Sequence, residues 1–186
     1  WSMPDWEILR NIGCGLVDLR PGSMGNLEDY VPALAADWSV SPDGLTWTFN
    51  LKTGIRFEDG TEFTANDVKY SLDRGMTLNL PDGAIAGLGY RDIIQSIEVT
   101  GKYQVKLHLW NPFAPLLALL AAQSSFIVNP AHAPWNESVE YHEGNARASN
   151  PMDLGPYTLT EWTRTNGKDV SMELKANPNY GNATGG

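Results

Sequence analysis

The chain has 186 residues, 42% of them hydrophobic, with 13 Lys+Arg against 22 Asp+Glu, so its formal charge is −9. That acidity, with no Lys/Arg cluster, supplies no field for phosphates and excludes nucleic acid as an expected partner. The longest apolar run, residues 114–122, is interrupted by Pro115 and falls well short of the roughly 20 apolar residues that span a bilayer.

In chain order, the first predicted helix covers residues 5–13, with Pro4 before it and Asp5 and Glu7 near its positive end. A hairpin follows: residues 38–40 lead through Pro42-Asp43-Gly44 into a strand over 45–51, whose Leu45, Trp47, Phe49 and Leu51 share one face. The best helix runs over residues 64–74, with Thr64 placed to cap free backbone N–H groups and Asp67 three positions on, as in a capping box. A second hairpin pairs residues 94–99 with 103–109 across Thr100-Gly101. Residues 112–122 read as a buried apolar helix, and Phe126-Ile127-Val128 as a short strand. Residues 133–152 are polar and rich in Pro, Asn and Gly, a pattern of surface loops. A third hairpin pairs residues 157–164 with 170–174 across Asn166-Gly167. Antiparallel hairpins with few helices make this a mixed α/β (α+β) chain.

Little here points to chemistry. His108, His132 and His142 show no i,i+4 pairing, so no metal is expected, and no cofactor either. Glu28-Asp29 and Glu58-Asp59 are acid pairs without an adjacent His, Ser or Cys, and Glu58-Asp59-Gly60 reads as a turn, so the chain is not read as an enzyme. Cys14 between Gly13 and Gly15 reads as a small buried residue. Asn136 and Asn182 begin N-glycosylation patterns, a signal of low specificity. The 7 Trp invite a sugar-stacking alternative, a free-standing β-rich carbohydrate-binding module. Alternation instead places Trp38 and Trp47 on buried hairpin faces; Trp110, Trp135 and Trp162 are less clearly assigned, and Trp1 and Trp6 are candidates to face a cleft.

Residues 32–68 carry Asp37-Trp38-Ser39-Val40-Ser41-Pro42-Asp43-Gly44-Leu45-Thr46-Trp47-Thr48-Phe49 and then Phe57-Glu58-Asp59-Gly60-Thr61-Glu62-Phe63-Thr64-Ala65-Asn66-Asp67-Val68. This stretch resembles the signature region of the extracytoplasmic solute-binding proteins of ABC importers, family 5, the oligopeptide, dipeptide and nickel branch. Residues 105–115, 150–157 and the Asn177-Pro178-Asn179-Tyr180 run resemble further family markers in the expected order. Two departures stand out: Asp153-Leu154-Gly155 replaces the usual Gly-Thr-Gly before Pro156-Tyr157, and Gly181 stands where Trp is usual.

The resemblance implies a type II periplasmic-binding-protein-like fragment. Residues 1–24 would be part of lobe I, 25–145 the family's extra domain, and 146–186 return strands of lobe I up to the hinge, with the second lobe missing. It also implies an extracytoplasmic location, a monomer, an ABC permease as partner, and a small solute as ligand. An oligopeptide heads the list, ahead of an oligosaccharide or a nickel complex. The implied solute contacts are Trp1, Ser2 and Met3 before the first helix, Ile85 within the glycine-bearing loop 82–90, and Gln123, Ser124 and Ser125, a polar step that caps or lines the cleft. Backbone groups at the first of these would pair with an extended peptide as an added strand does.

Overall fold

The structure, a computed structural model, describes residues 3–23, 29–78, 89–133, 135, 152–165 and 168–180. Helix α1 (Met3–Ile12) starts two residues ahead of the expected helix and takes Pro4 into its first turn, where the missing N–H costs nothing. Strands β1 (Val17–Leu19) and β2 (Tyr30–Pro32) form a small antiparallel pair. The main sheet has the order β3-β4-β6-β5, built from β3 (Ala35–Val40), β4 (Thr46–Leu51), β5 (Ile94–Gly101) and β6 (Gln104–Leu109), all neighbours antiparallel.

Alternation fixes the buried face of this sheet. Trp47, Phe49 and Leu51 from β4 and Val105, Leu107 and Leu109 from β6 all point into the core. In β5 the buried Ile94 and Ile97 are three apart, which strict alternation would place on opposite faces; a register shift between Ile94 and Ser96 returns both to the core. The β3–β4 turn follows the expectation. The Gly44 amide donates to the Ser41 carbonyl at 2.8 Å, the Asp43 carboxylate accepts from the Ser41 hydroxyl and the Leu45 amide, and Gly44 takes φ 72°. These bonds to Asp43 hold its carboxyl below the usual carboxylate range.

The second hairpin turns two residues later than expected. Gly101 pairs with Gln104, so Lys102 and Tyr103 form the loop and Thr100 and Gly101 belong to β5. Tertiary contacts select this position: Lys102 bonds to Glu62 at 2.8 Å, the Tyr103 hydroxyl also bonds to Glu62, and the Ala65 amide donates to the Lys102 carbonyl.

That last bond seats α2 (Ala65–Leu78) against the sheet through Val68 and Leu72. Its start is half a capping box. The Asp67 carboxylate accepts from the Thr64 amide at 2.7 Å, but the Thr64 hydroxyl donates to the same carboxylate at 2.9 Å rather than accepting from the backbone. A single helical turn, α3 (Tyr90–Ile93), precedes β5, and α4 (Leu116–Ala121) is shorter than the expected 112–122 because residues 114–115 form a turn. A 3-10 turn, Gln123–Ser125, follows. Phe126, Ile127 and Val128 are not a strand. They run as single chain across the core, Ile127 donating to the Cys14 carbonyl and Val128 to the Ser71 hydroxyl, both at 3.0 Å.

Strands β7 (Tyr157–Thr165) and β8 (Lys168–Ala176) form the third hairpin, whose Asn166 and Gly167 lie outside the described residues. Its Leu159 packs with Leu9 and Ile12 of α1 in a second small core, flanked by Met152, Trp162, Met172 and Leu174. The loop expected at 133–152 lies mostly outside the described residues, as do Glu28, His142, Asn136 and Asn182. Among the described residues no helix is long and apolar enough to cross a membrane, and no cluster of His, Cys, Asp and Glu could hold a metal.

Candidate functional site

The polar step at Gln123–Ser125 sits where α4 ends and the chain passes the segment after α1. Closeness there depends on Gly13: a Cβ at that position would fall 2.1 Å from the Phe126 ring. The turn is tied from within by Tyr90. Its hydroxyl donates to the Leu119 carbonyl at 2.6 Å, lies 3.3 Å from the Ser124 hydroxyl and contacts the Ser125 hydroxyl, which itself donates to Leu119 at 2.8 Å. Burial raises the Tyr90 phenol above its ordinary range, against the pull of the Ser124 and Ser125 hydroxyls, so it stays a neutral donor.

Ser125 is therefore an enclosed tie, 1% exposed, whereas Gln123 and Ser124 are half-buried. Of the other predicted contacts, Met3 begins α1, and Trp1, Ser2 and Ile85 lie outside the described residues. Tyr90 ends the predicted contact loop 82–90, so the structure joins that loop's end to the Gln123–Ser125 turn. Sequence reading missed this link, since a Tyr and a Ser-Ser pair 34 and 35 residues apart carry no pairing signal. Replacing Tyr90 with Phe is expected to lower stability by about 1 kcal/mol and to speed amide exchange at 123–125. Unchanged exchange would show that the hydroxyl does not hold the turn.

A second polar assembly lies at the lead-in to β7. Asp153 is 2% exposed, and its Oδ2 accepts from the Glu58 amide at 2.9 Å. Asn177 donates to the Asp153 carbonyl at 2.8 Å and the Gly155 carbonyl at 2.9 Å, while the Gly155 amide donates to Ile12 at the end of α1. Burial pushes the Asp153 carboxyl up to about 7, the Glu58 and Asp59 charges adding to the rise and the Glu58 amide opposing it. Asp59 behaves oppositely. Burial works against its ionisation, but bonds from Thr61 and Asn129 and the nearby His132 hold its carboxyl below the usual range.

Of the remaining candidates, Trp1 and the Trp6 side chain lie outside what the structure describes, and most of the others pack against neighbouring side chains. Trp47 stacks on Phe49 with ring centroids 6.5 Å apart, Trp38 tilts against the same ring, and Trp135 meets Tyr70 edge to face at 5.3 Å. Trp162 joins the small core beside α1, and Trp110 is 55% exposed. His108 bridges Glu98 at 2.9 Å and Thr46 at 3.3 Å on the sheet's outer face. Cys14 is half-buried, and burial followed by the Asp18 charge pushes its thiol up to about 12, which disfavours the reactive thiolate.

Comparison with known proteins places this architecture. Residues 29–184 match the family described as bacterial extracellular solute-binding proteins, family 5 Middle. The Di/tripeptide-binding protein 2 of Pseudomonas aeruginosa (strain UCBPP-PA14) is 34% identical over 89% of this chain, an alignment spanning 32% of that relative's length. Among solved structures, the periplasmic binding protein DppA from Helicobacter pylori in complex with peptide STSA superposes with a TM-score of 0.68 at 30% identity, covering 91% of this chain and 34% of that one. The binding protein MoaA from A. tumefaciens R10, in complex with mannopinic acid, gives a TM-score of 0.76 at 27% identity over 97% of this chain and 34% of that one. The mixed α/β hairpin architecture is thus that of about a third of a periplasmic binding protein, and the chain belongs to the bacterial extracellular solute-binding proteins of family 5.

Proposed function

We propose that this chain is part of the solute-binding component of an ABC importer, which captures a small peptide outside the cytoplasmic membrane and delivers it to a permease. The observation that carries the peptide reading is the 34% identity to a di/tripeptide-binding protein across most of the chain. No catalysis is involved: the solute bridges two lobes and stabilises their closed arrangement by its higher affinity for it. Residues 1–24 and 146–186 belong to the first lobe and 25–145 to the extra domain. On this reading Trp1, Ser2, Met3, Ile85, Gln123, Ser124 and Ser125 face the solute or hold the backbone that does, with Tyr90 positioning the last three.

The carbohydrate-module alternative has little support in the aromatic side chains. Trp38 and Trp47 are committed to Phe49 and Trp135 leans on Tyr70, leaving Trp110 with the most exposed face among the described Trp side chains.

Thermal unfolding of the complete gene product with di- and tripeptide mixtures tests the proposal. A ligand at about 100 times its Kd stabilises by about 2.7 kcal/mol, so a peptide solute raises the Tm by several degrees. A rise with oligosaccharides or nickel–histidine, and none with peptides, would contradict the peptide reading.

A further inference from the structure

The departure at Asp153 places a carboxyl at the seam between two parts of the chain far apart in sequence. Its Oδ2 holds the Glu58 amide of the turn that ends at Gly60, and its backbone carbonyl is held by Asn177 beyond β8. The side chain is almost wholly enclosed, and Oδ1 has no hydrogen-bond partner among the described residues. Among the described residues the charged groups acting on it are both acidic, Glu58 and Asp59 from the turn, while His132 acts on Asp59. No cation neutralises Asp153 among the described residues, and Asn129 and Asn177 are neutral.

We propose that Asp153 is a proton-operated latch: neutral, it seats the residue 57–60 turn against the lead-in to β7, and ionised, it loosens that seam. In the neutral form Oδ2 keeps the Glu58 bond as a carbonyl oxygen and Oδ1 carries the proton. In the ionised form a buried charge with no counterion among the described residues faces the Glu58 and Asp59 carboxylates. The raised carboxyl, near 7 in the fold against about 3.9 when exposed, sets the sign. Below about pH 4 both closed and open seams are protonated and the group is silent; between about 4 and 7 the closed seam holds the extra proton and weakens as pH rises; above 7 the weakening is complete. The latch acts whatever the solute is, so it does not rest on the peptide reading.

Two measurements on the full chain test it. Carboxyl-carbon NMR should show Asp153 titrating near neutral pH, and E58Q should lower that midpoint. Hydrogen exchange, corrected for intrinsic rates, should show protection of residues 57–60 falling roughly tenfold per pH unit across the window, and D153N should hold it high and flat. Asp153 titrating in the ordinary carboxylate range, or D153N following the wild-type profile, would overturn the latch; if D153N fails to fold, the wild-type and E58Q titrations still decide.

Discussion

Replacing Phe49 with Ala is expected to destabilise the chain by about 4 kcal/mol, within the range for truncating a buried Phe. Phe49 is fully buried on β4, a central strand, with β3 on one side and β6 on the other. Its ring meets both Trp38 and Trp47 at 6.5 Å, so the variant leaves a void that neither large indole fills without leaving its own site. Chemical denaturation of wild type and variant checks this, with intrinsic Trp fluorescence reporting the same void. A loss below about 1 kcal/mol would mean that the sheet is not packed as described.

Gly155→Ala is expected to cost about 3 kcal/mol, from overpacking against backbone. A Cβ there would lie 2.5 Å from the carbonyl carbon of Ile12 and 2.7 Å from the carbonyl oxygens of Asn11 and Ile12. Those atoms close the end of α1, and the Gly155 amide is bonded to one of them at 2.9 Å, so relief requires moving α1 away from β7. Gly101→Ala is the control. Its Cβ would meet Gln104 at an ordinary 3.9 Å, and the expected change is within about 0.5 kcal/mol. Equal effects from the two substitutions would contradict the close approach of α1 and the β7 lead-in.

The main sheet was legible because its signals are local. Trp47, Phe49 and Leu51 alternate with polar residues beside a Pro-Asp-Gly turn, and one buried face follows directly from a period of two. Where tertiary contacts decide, local reading drifted. The hairpin between β5 and β6 turns at Lys102-Tyr103 because Glu62 and the start of α2 hold those residues, and nothing within residues 94–109 states that. Phe126-Ile127-Val128 looked like a strand for its composition, but its partners are the Cys14 carbonyl and the Ser71 hydroxyl, not a neighbouring strand.

The candidate site was legible only in outline. The ordered motifs identified the family, and the polar step at Gln123–Ser125 was visible between apolar runs. That Tyr90 binds it is a contact across more than thirty residues, beyond the reach of spacing rules. Asp153 was visible as a departure from a familiar Gly-Thr-Gly, but its enclosure depends on Glu58, 95 residues earlier, closing over it.

The most direct test of the central claim is native mass spectrometry of the complete gene product, purified without refolding, beside this 186-residue chain prepared in the same way. If, as proposed, the solute is held between two lobes, an adduct of peptide mass appears on the complete product and none on the chain alone. An adduct retained by the 186-residue chain would contradict it, placing a complete site within these residues.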